Sequence, residues 1–133
     1  MTTISFNWPT ERPHFAVVTR VVDGDTVHMD IDMDLKSWLD DYPVRLSGCN
    51  AWERSTEAGQ AAKANLEKLL PVGTTVVLTT IKDYKFGGEF VAKVFLLDGT
   101  NLVEKLIAEQ WLAPWDGNGK GADHVPPWPR TVP

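Results

Sequence analysis

Cysteine is nearly absent: Cys49 is the one thiol in 133 residues. A single thiol closes no internal disulfide, so nothing points to an oxidising compartment and stability has to come from a packed core. Long apolar runs are missing too. No stretch approaches the roughly 20 residues that cross a bilayer as a helix. The first residues, MTTISFNWPTERPHF, have neither the basic region nor the apolar region of a secretory signal. The expectation is a cytoplasmic protein with no membrane partner. Basic charge is also scarce, with 13 Lys and Arg against 18 Asp and Glu and a net charge of −5. This weighs against a protein that grips long nucleic acid by neutralising its phosphates along a basic face. It leaves room for a local basic site, or for one charged by a bound metal.

What is present suffices for one globular domain: 43% hydrophobic and 23% charged residues. A Pro-punctuated leader is expected over 1–13, a folded domain over 14–117, and a Gly/Pro/Trp-rich tail over 118–133. Strands are expected over 15–22, 25–33, 44–49, 74–82 and 89–97, with a loop over 34–42. One helix should follow Ser55 as N-cap, and another should open at Asn101 with Glu104 as a capping box. No internal repeat is visible. Three strands, a helix, two strands and a helix suggest an α+β, mostly β fold: an OB-fold five-stranded barrel with two to three helices. An open α+β sheet fits the same order.

Three places carry candidate chemistry. In VVDGDTVHMD, Asp23-Gly24 reads as the centre of a hairpin turn that needs φ > 0, which leaves Asp25 as a second acid the turn does not require. In DIDMDLKSWLDD, the residues Asp30, Asp32, Asp34 and Asp41 fall at EF-hand spacing. However, Leu35 stands where that loop needs Gly and no helix precedes it, so a solvated strand face is the better reading. In VRLSGCNAWER, Arg45, Asn50, Glu53 and Arg54 cluster around a strand exit. A phosphodiester hydrolase needs oxygen ligands for a hard cation, a fork of donors for phosphate, and a carboxylate to orient water. Asp25 with Asn50, Arg45, and Glu53 are of the right types for these roles. Trp52, Trp111, Trp115 and Trp128 suit either base stacking or core packing. His14, His28 and His124 are too scattered for a metal site.

DGDTVHM followed by VRLSGCNAWE resembles the staphylococcal nuclease (thermonuclease) family, whose motif is an Asp-Gly-Asp-Thr hairpin, then Arg-Leu, then a loop ending Asp-Thr-Pro-Glu. The resemblance runs over 15–115 and is strongest to the short phage-encoded members, which would act in a host cell. It implies an OB-fold and a calcium-dependent nuclease acting on DNA or RNA, with single strands favoured. By the resemblance, Asp25 is a metal ligand, Arg45 holds the reacting phosphate, and Glu53 is the general base or positions water. Ala51 would offer its carbonyl to the metal. Two positions depart from the pattern. Asn50 stands for a second metal-binding Asp, which removes a negative charge from the site. Glu89, or Gly88 in another gapping, stands for an arginine that stabilises the transition state, and Arg54 is a candidate substitute. Activity is therefore expected to be weakened, the alternative being a catalytically impaired module that binds nucleic acid, a nucleotide or a protein.

Overall fold

The structure is a computed structural model and describes residues 12–84 and 87–115. Most of the expected leader, all of the expected tail, Lys85 and Phe86 of the KFGG turn, His124 and Trp128 lie outside the described residues. Strands β1 (His14–Asp23), β2 (Thr26–Asp32) and β3 (Trp38–Leu46) form a meander. After β4 (Cys49–Asn50) and helix α1 (Glu57–Leu69), β5 (Thr75–Asp83) and β6 (Phe90–Leu96) pair as a hairpin. Helix α2 (Leu102–Ala108) and β7 (Ala113–Pro114) follow. The main sheet closes in the order β1-β2-β3-β6-β5, with β3 and β6 parallel and the other pairs antiparallel. This closed five-stranded barrel with two helices is the expected OB-like architecture. Closure removes the open edges that a five-stranded sheet would otherwise expose.

Alternation places the core. Val27, Met29 and Ile31 of β2 are fully buried, together with Ala16, Val44, Leu78 and Val94 from the other barrel strands. Helix α1 lays Ala58, Gly59, Ala62 and Leu66 inward. Its N-cap is Thr56 rather than Ser55: the Thr56 hydroxyl accepts from Gly59 N at 3.0 Å. Asn101 caps α2 as expected, accepting from Glu104 N at 3.1 Å. No helix among the described residues is long and apolar enough to cross a membrane.

Two further expectations need correction. The segment 34–42 is not all loop, because β3 starts at Trp38 and pairs with β2 from Asp32 onward. A register shift between Met29 and Ile31 absorbs the acids that obscured the strand, and Asp41 there has φ 48° and a backbone amide held by Asp30 Oδ1 at 2.8 Å. The first hairpin is also built differently. Asp23 pairs with Thr26, so the turn residues are Gly24 and Asp25, and Gly24 is not left-handed. Glycine is needed there for space: a Cβ would lie 3.1 Å from both the Ala51 and Ala62 methyls.

Candidate active site

Asp25 sits in that turn and is 5% exposed. Its amide donates to Asp23 Oδ1 at 3.0 Å, and its carbonyl accepts from Leu46 N at 2.8 Å. On the neighbouring strand Arg45 lies opposite Thr26, the residue after Asp25. This register lays the guanidinium beside the acid, with Arg45 Nη2 3.6 Å from Asp25 Oδ2. The same nitrogen donates to Asn50 Oδ1 at 3.0 Å. Asn50 is held by the short pairing of β4 with β7, opposite Ala113. Ala51 N donates to Asp25 Oδ2 at 3.3 Å, and Thr26 Oγ1 to Oδ1 at 3.1 Å. The structure thus brings Asp25, Arg45, Asn50 and Ala51 into one cluster.

The electrostatics of the cluster are unbalanced. Burial, followed by the hydrogen bond and the charge of Asp23, pushes the Asp25 pKa up to about 7. Arg45 and the Thr26 hydroxyl oppose that rise without cancelling it. The acid is short of positive charge even with a guanidinium beside it. Asn50 is 2% exposed, and its Nδ2 has no hydrogen-bond partner while its oxygen faces Arg45. Two oxygen-bearing side chains here are of a type that suits a hard cation, the Asp25 carboxylate and the Asn50 amide; of Ala51 it is the amide N that meets Asp25. Arg45 already lies against both side chains, so the positive charge observed beside them is a guanidinium. A single carboxylate would give a divalent ion little charge to bind. Among the described residues no group of three or more His, Cys, Asp or Glu gathers as a metal centre.

Beside the cluster opens a cleft of about 290 Å³, lined among others by Arg45, Lys82, Tyr84, Val91 and Trp115. The Arg45 guanidinium carbon lies 5.4 Å from the Tyr84 ring centroid and 5.8 Å from that of Trp115. A cation close to two rings and next to open space can meet a phosphate and a base together. Lys82 and Tyr84 follow a bulge. Thr79 pairs with Lys93 but Lys82 with Val91, so β5 has one extra residue, and Thr80 takes φ 53°. A β-branched residue in that region is rare, and a bulge here turns the following side chains to a new face. Alternation read along the sequence therefore could not nominate Lys82. Cys49 also lines the cleft, but burial pushes its thiol far above the ordinary range and leaves it inert as a nucleophile.

The other candidates lie elsewhere. Glu53 and Arg54 are exposed on the connection into α1 and do not line the cleft. The Glu53 carbonyl accepts from Thr56 N and Thr56 Oγ1, at 3.0 and 2.7 Å. Glu89 helps close the base of the β5–β6 hairpin, its carbonyl accepting from Tyr84 N at 2.9 Å. The acids of the EF-hand spacing serve the β2–β3 connection. Asp32 and Asp30 side chains accept backbone amides, Asp34 pairs with Arg12, and Asp41 accepts from Thr19. His14 and His28 contact the same region, through Asp32 O at 2.9 Å and Asp41 O at 3.1 Å. Trp52 packs with Ala58, Ala62 and Trp111, whereas Trp115 faces the cleft. Compared with known proteins, the chain matches no family model and no curated protein.

Proposed function

We propose that this protein is a phosphodiesterase of the staphylococcal nuclease type, acting slowly on single-stranded DNA or RNA with calcium. The observation that carries this reading is the meeting of Asp25, Arg45 and Asn50, from a turn and two strands, with Arg45 reaching from the buried pair into a cleft walled by Tyr84 and Trp115. Arg45 offers a rigid fork of donors for phosphate oxygens. Tyr84 and Trp115 offer faces for a base, and Lys82 adds a second positive charge to the cleft wall. Asp25, Asn50 and the Ala51 carbonyl would hold calcium, which supplies charge neutralisation at a phosphate oxygen. Glu53, two residues past Ala51, has the chemistry to orient a water. The test is incubation with single-stranded DNA and with RNA in calcium, using Glu53→Ala as control. Equal outcomes for the two proteins would remove the nuclease reading.

A second reading has its own support. Glu53 is exposed outside the cleft, and Glu89 offers no positive charge where the resembled family has one. An OB-like barrel with these features would bind a nucleotide or single strand at Arg45, Tyr84 and Trp115 without cutting it. Tight binding of a short oligonucleotide with no product in calcium, magnesium or manganese would select this reading.

A further inference from the structure

We infer that the outer end of the β2–β3 hairpin is a docking edge for an extended, basic protein segment, which adds a strand to β3 beside Trp38. By the rise of a strand this edge lies about 20 Å along β3 from Arg45, so it stands apart from the cleft and from the nuclease reading.

Closure seals β3 only where it meets β6, over Val44, Arg45 and Leu46. The preceding part of β3, from Trp38 to Pro43, pairs with β2 on one side and with no strand on the other among the described residues. Burial follows the pairing: Trp38, Asp40 and Asp41 are exposed, whereas Val44 and Leu46 are buried. An open edge offers backbone donors and acceptors to an incoming strand. The side chains add an apolar anchor. Ala16 pairs with Ile31 and Ile31 with Leu39, and both Ala16 and Ile31 point into the core. One step along, Phe15, Asp32 and Trp38 therefore turn to the outer face, where Phe15 and Trp38 are exposed. At the hairpin tip Asp34, Leu35 and Lys36 all take left-handed φ, 72°, 55° and 63°, and Leu35 is 98% exposed. Three such residues in succession are strained, and glycine or asparagine would ease the turn without presenting an apolar side chain. Charge names the occupant. Residues 30–41 hold five aspartates against Lys36 alone. Backbone amides and the Thr19 hydroxyl satisfy Asp30, Asp32 and Asp41 without neutralising them. The Thr19 bond holds the Asp41 carboxyl below its ordinary range. Arg12 faces Asp34 and His28 faces Asp41, which leaves the hairpin acidic. A second copy of this edge would set aspartates against aspartates, and a nucleic acid or an anionic membrane would be repelled. Arginine or lysine alternating with apolar residues meets the acids and the Trp38 ring together.

The experiment is an NMR titration of the full chain with a capped heptapeptide alternating arginine and valine, and with counterparts carrying glutamine or glutamate in place of arginine. The arginine peptide should shift the amide signals of Trp38, Leu39 and Asp40 and the Trp38 indole signal. The glutamine peptide should bind at least about tenfold more weakly, and the glutamate peptide should not bind, because opposite charges supply the attraction. Raising salt from about 0.05 M to about 0.5 M should weaken the arginine peptide. Trp38→Ser should weaken it at least about tenfold, as loss of a tryptophan anchor does. Methylating the peptide's alternate backbone nitrogens along one edge should abolish binding, since a strand added to an edge needs those donors. Asp40→Lys, at an exposed position, should weaken the arginine peptide and admit the glutamate one, and it decides the matter if Trp38→Ser does not fold. Equal binding by the methylated and parent peptides would overturn strand addition. Equal binding to wild type and Trp38→Ser would mark plain charge attraction and overturn the docking edge. An arginine peptide that shifts no hairpin signal overturns it outright. So does a sedimentation mass that doubles with protein concentration and returns to the monomer in Trp38→Ser, because the occupant is then a second copy. Each of these failures leaves the cleft and the nuclease reading untouched.

Discussion

Asn50 gives its one side-chain oxygen to Arg45 at 3.0 Å and keeps its Nδ2 buried without a partner. A buried donor left unpaired is costly, and a site that tolerates one is balanced for something other than stability. Replacing Asn50 with Asp removes the orphan and places a second carboxylate beside Asp25. Without metal, two buried acids sharing one guanidinium should lower the melting temperature. With calcium the order should reverse, because affinity follows ligand charge. Calorimetry should show at least about tenfold tighter calcium for Asn50→Asp, and calcium should raise its melting temperature more than that of wild type.

The raised pKa of Asp25 gives a signed pH dependence. The folded protein holds this proton up to about pH 7, whereas the unfolded chain releases it near 3.8. Between those values the native state binds more protons than the unfolded state, so the contribution of Asp25 to stability falls as pH rises and levels off above about 7. Urea unfolding from pH 4.5 to 8 should show this loss, on the order of a few kcal/mol at most. Asp25→Asn should flatten the curve. Calcium at pH 8 should restore part of the loss in wild type only. A wild-type curve that rises through this window would contradict the raised value.

Aromatic roles separate by position. Trp115→Ala and Tyr84→Ala should weaken binding of a short oligothymidylate, each by about 1–3 kcal/mol as for a lost stacking face, with little change in melting temperature. Trp52→Ala should do the opposite. Trp52 is packed against Ala58, Ala62 and Trp111, so its removal should cost about 3–5 kcal/mol of stability. Fluorescence anisotropy and thermal melts of the three variants decide it.

The cleft's second cation can be tested from both ends of the β5–β6 hairpin. Lys82→Ala should reduce cleavage or oligonucleotide affinity, since Lys82 lines the cleft with Arg45. Glu89→Arg should raise the cleavage rate by about tenfold or more, as expected when a charge-stabilising donor is added. A rate unchanged by Glu89→Arg would mean that the hairpin does not present this position to the substrate.

Gly59 links the Glu53 loop to helix α1. A Cβ at Gly59 would lie 1.9 Å from the Glu53 carbonyl oxygen, which is backbone and cannot swing aside. Gly59→Ala should therefore displace the 53–56 turn and cost at least about 1–3 kcal/mol in urea unfolding. If Glu53 orients the attacking water, cleavage should fall by more than the lost stability explains.

Local patterns were legible in the sequence because few neighbours decide them. Alternation over 26–32 marked Val27, Met29 and Ile31 as core, and all three are fully buried. The Asn101 cap needs only a side chain and an amide three residues on. The element order was enough to suggest a five-stranded barrel. Residue type and spacing were enough to nominate Asp25, Arg45 and Asn50.

Tertiary structure decided the rest, through contacts between residues distant in the chain. The pairing of β4 with β7 spans two residues on each side, too short for any periodic signal, yet it positions Asn50. A bulge at Thr79 and Thr80 breaks the alternation that would have aimed Lys82. Gly24 is glycine because Ala51 and Ala62 approach it, not because of a left-handed turn. The β2–β3 register lays Arg45 over Asp25, and the β4–β7 pairing outside the barrel brings it the oxygen of Asn50, while Glu53 stays at the surface. Residue types come from the sequence, but which charge faces which is a property of the strand pairings.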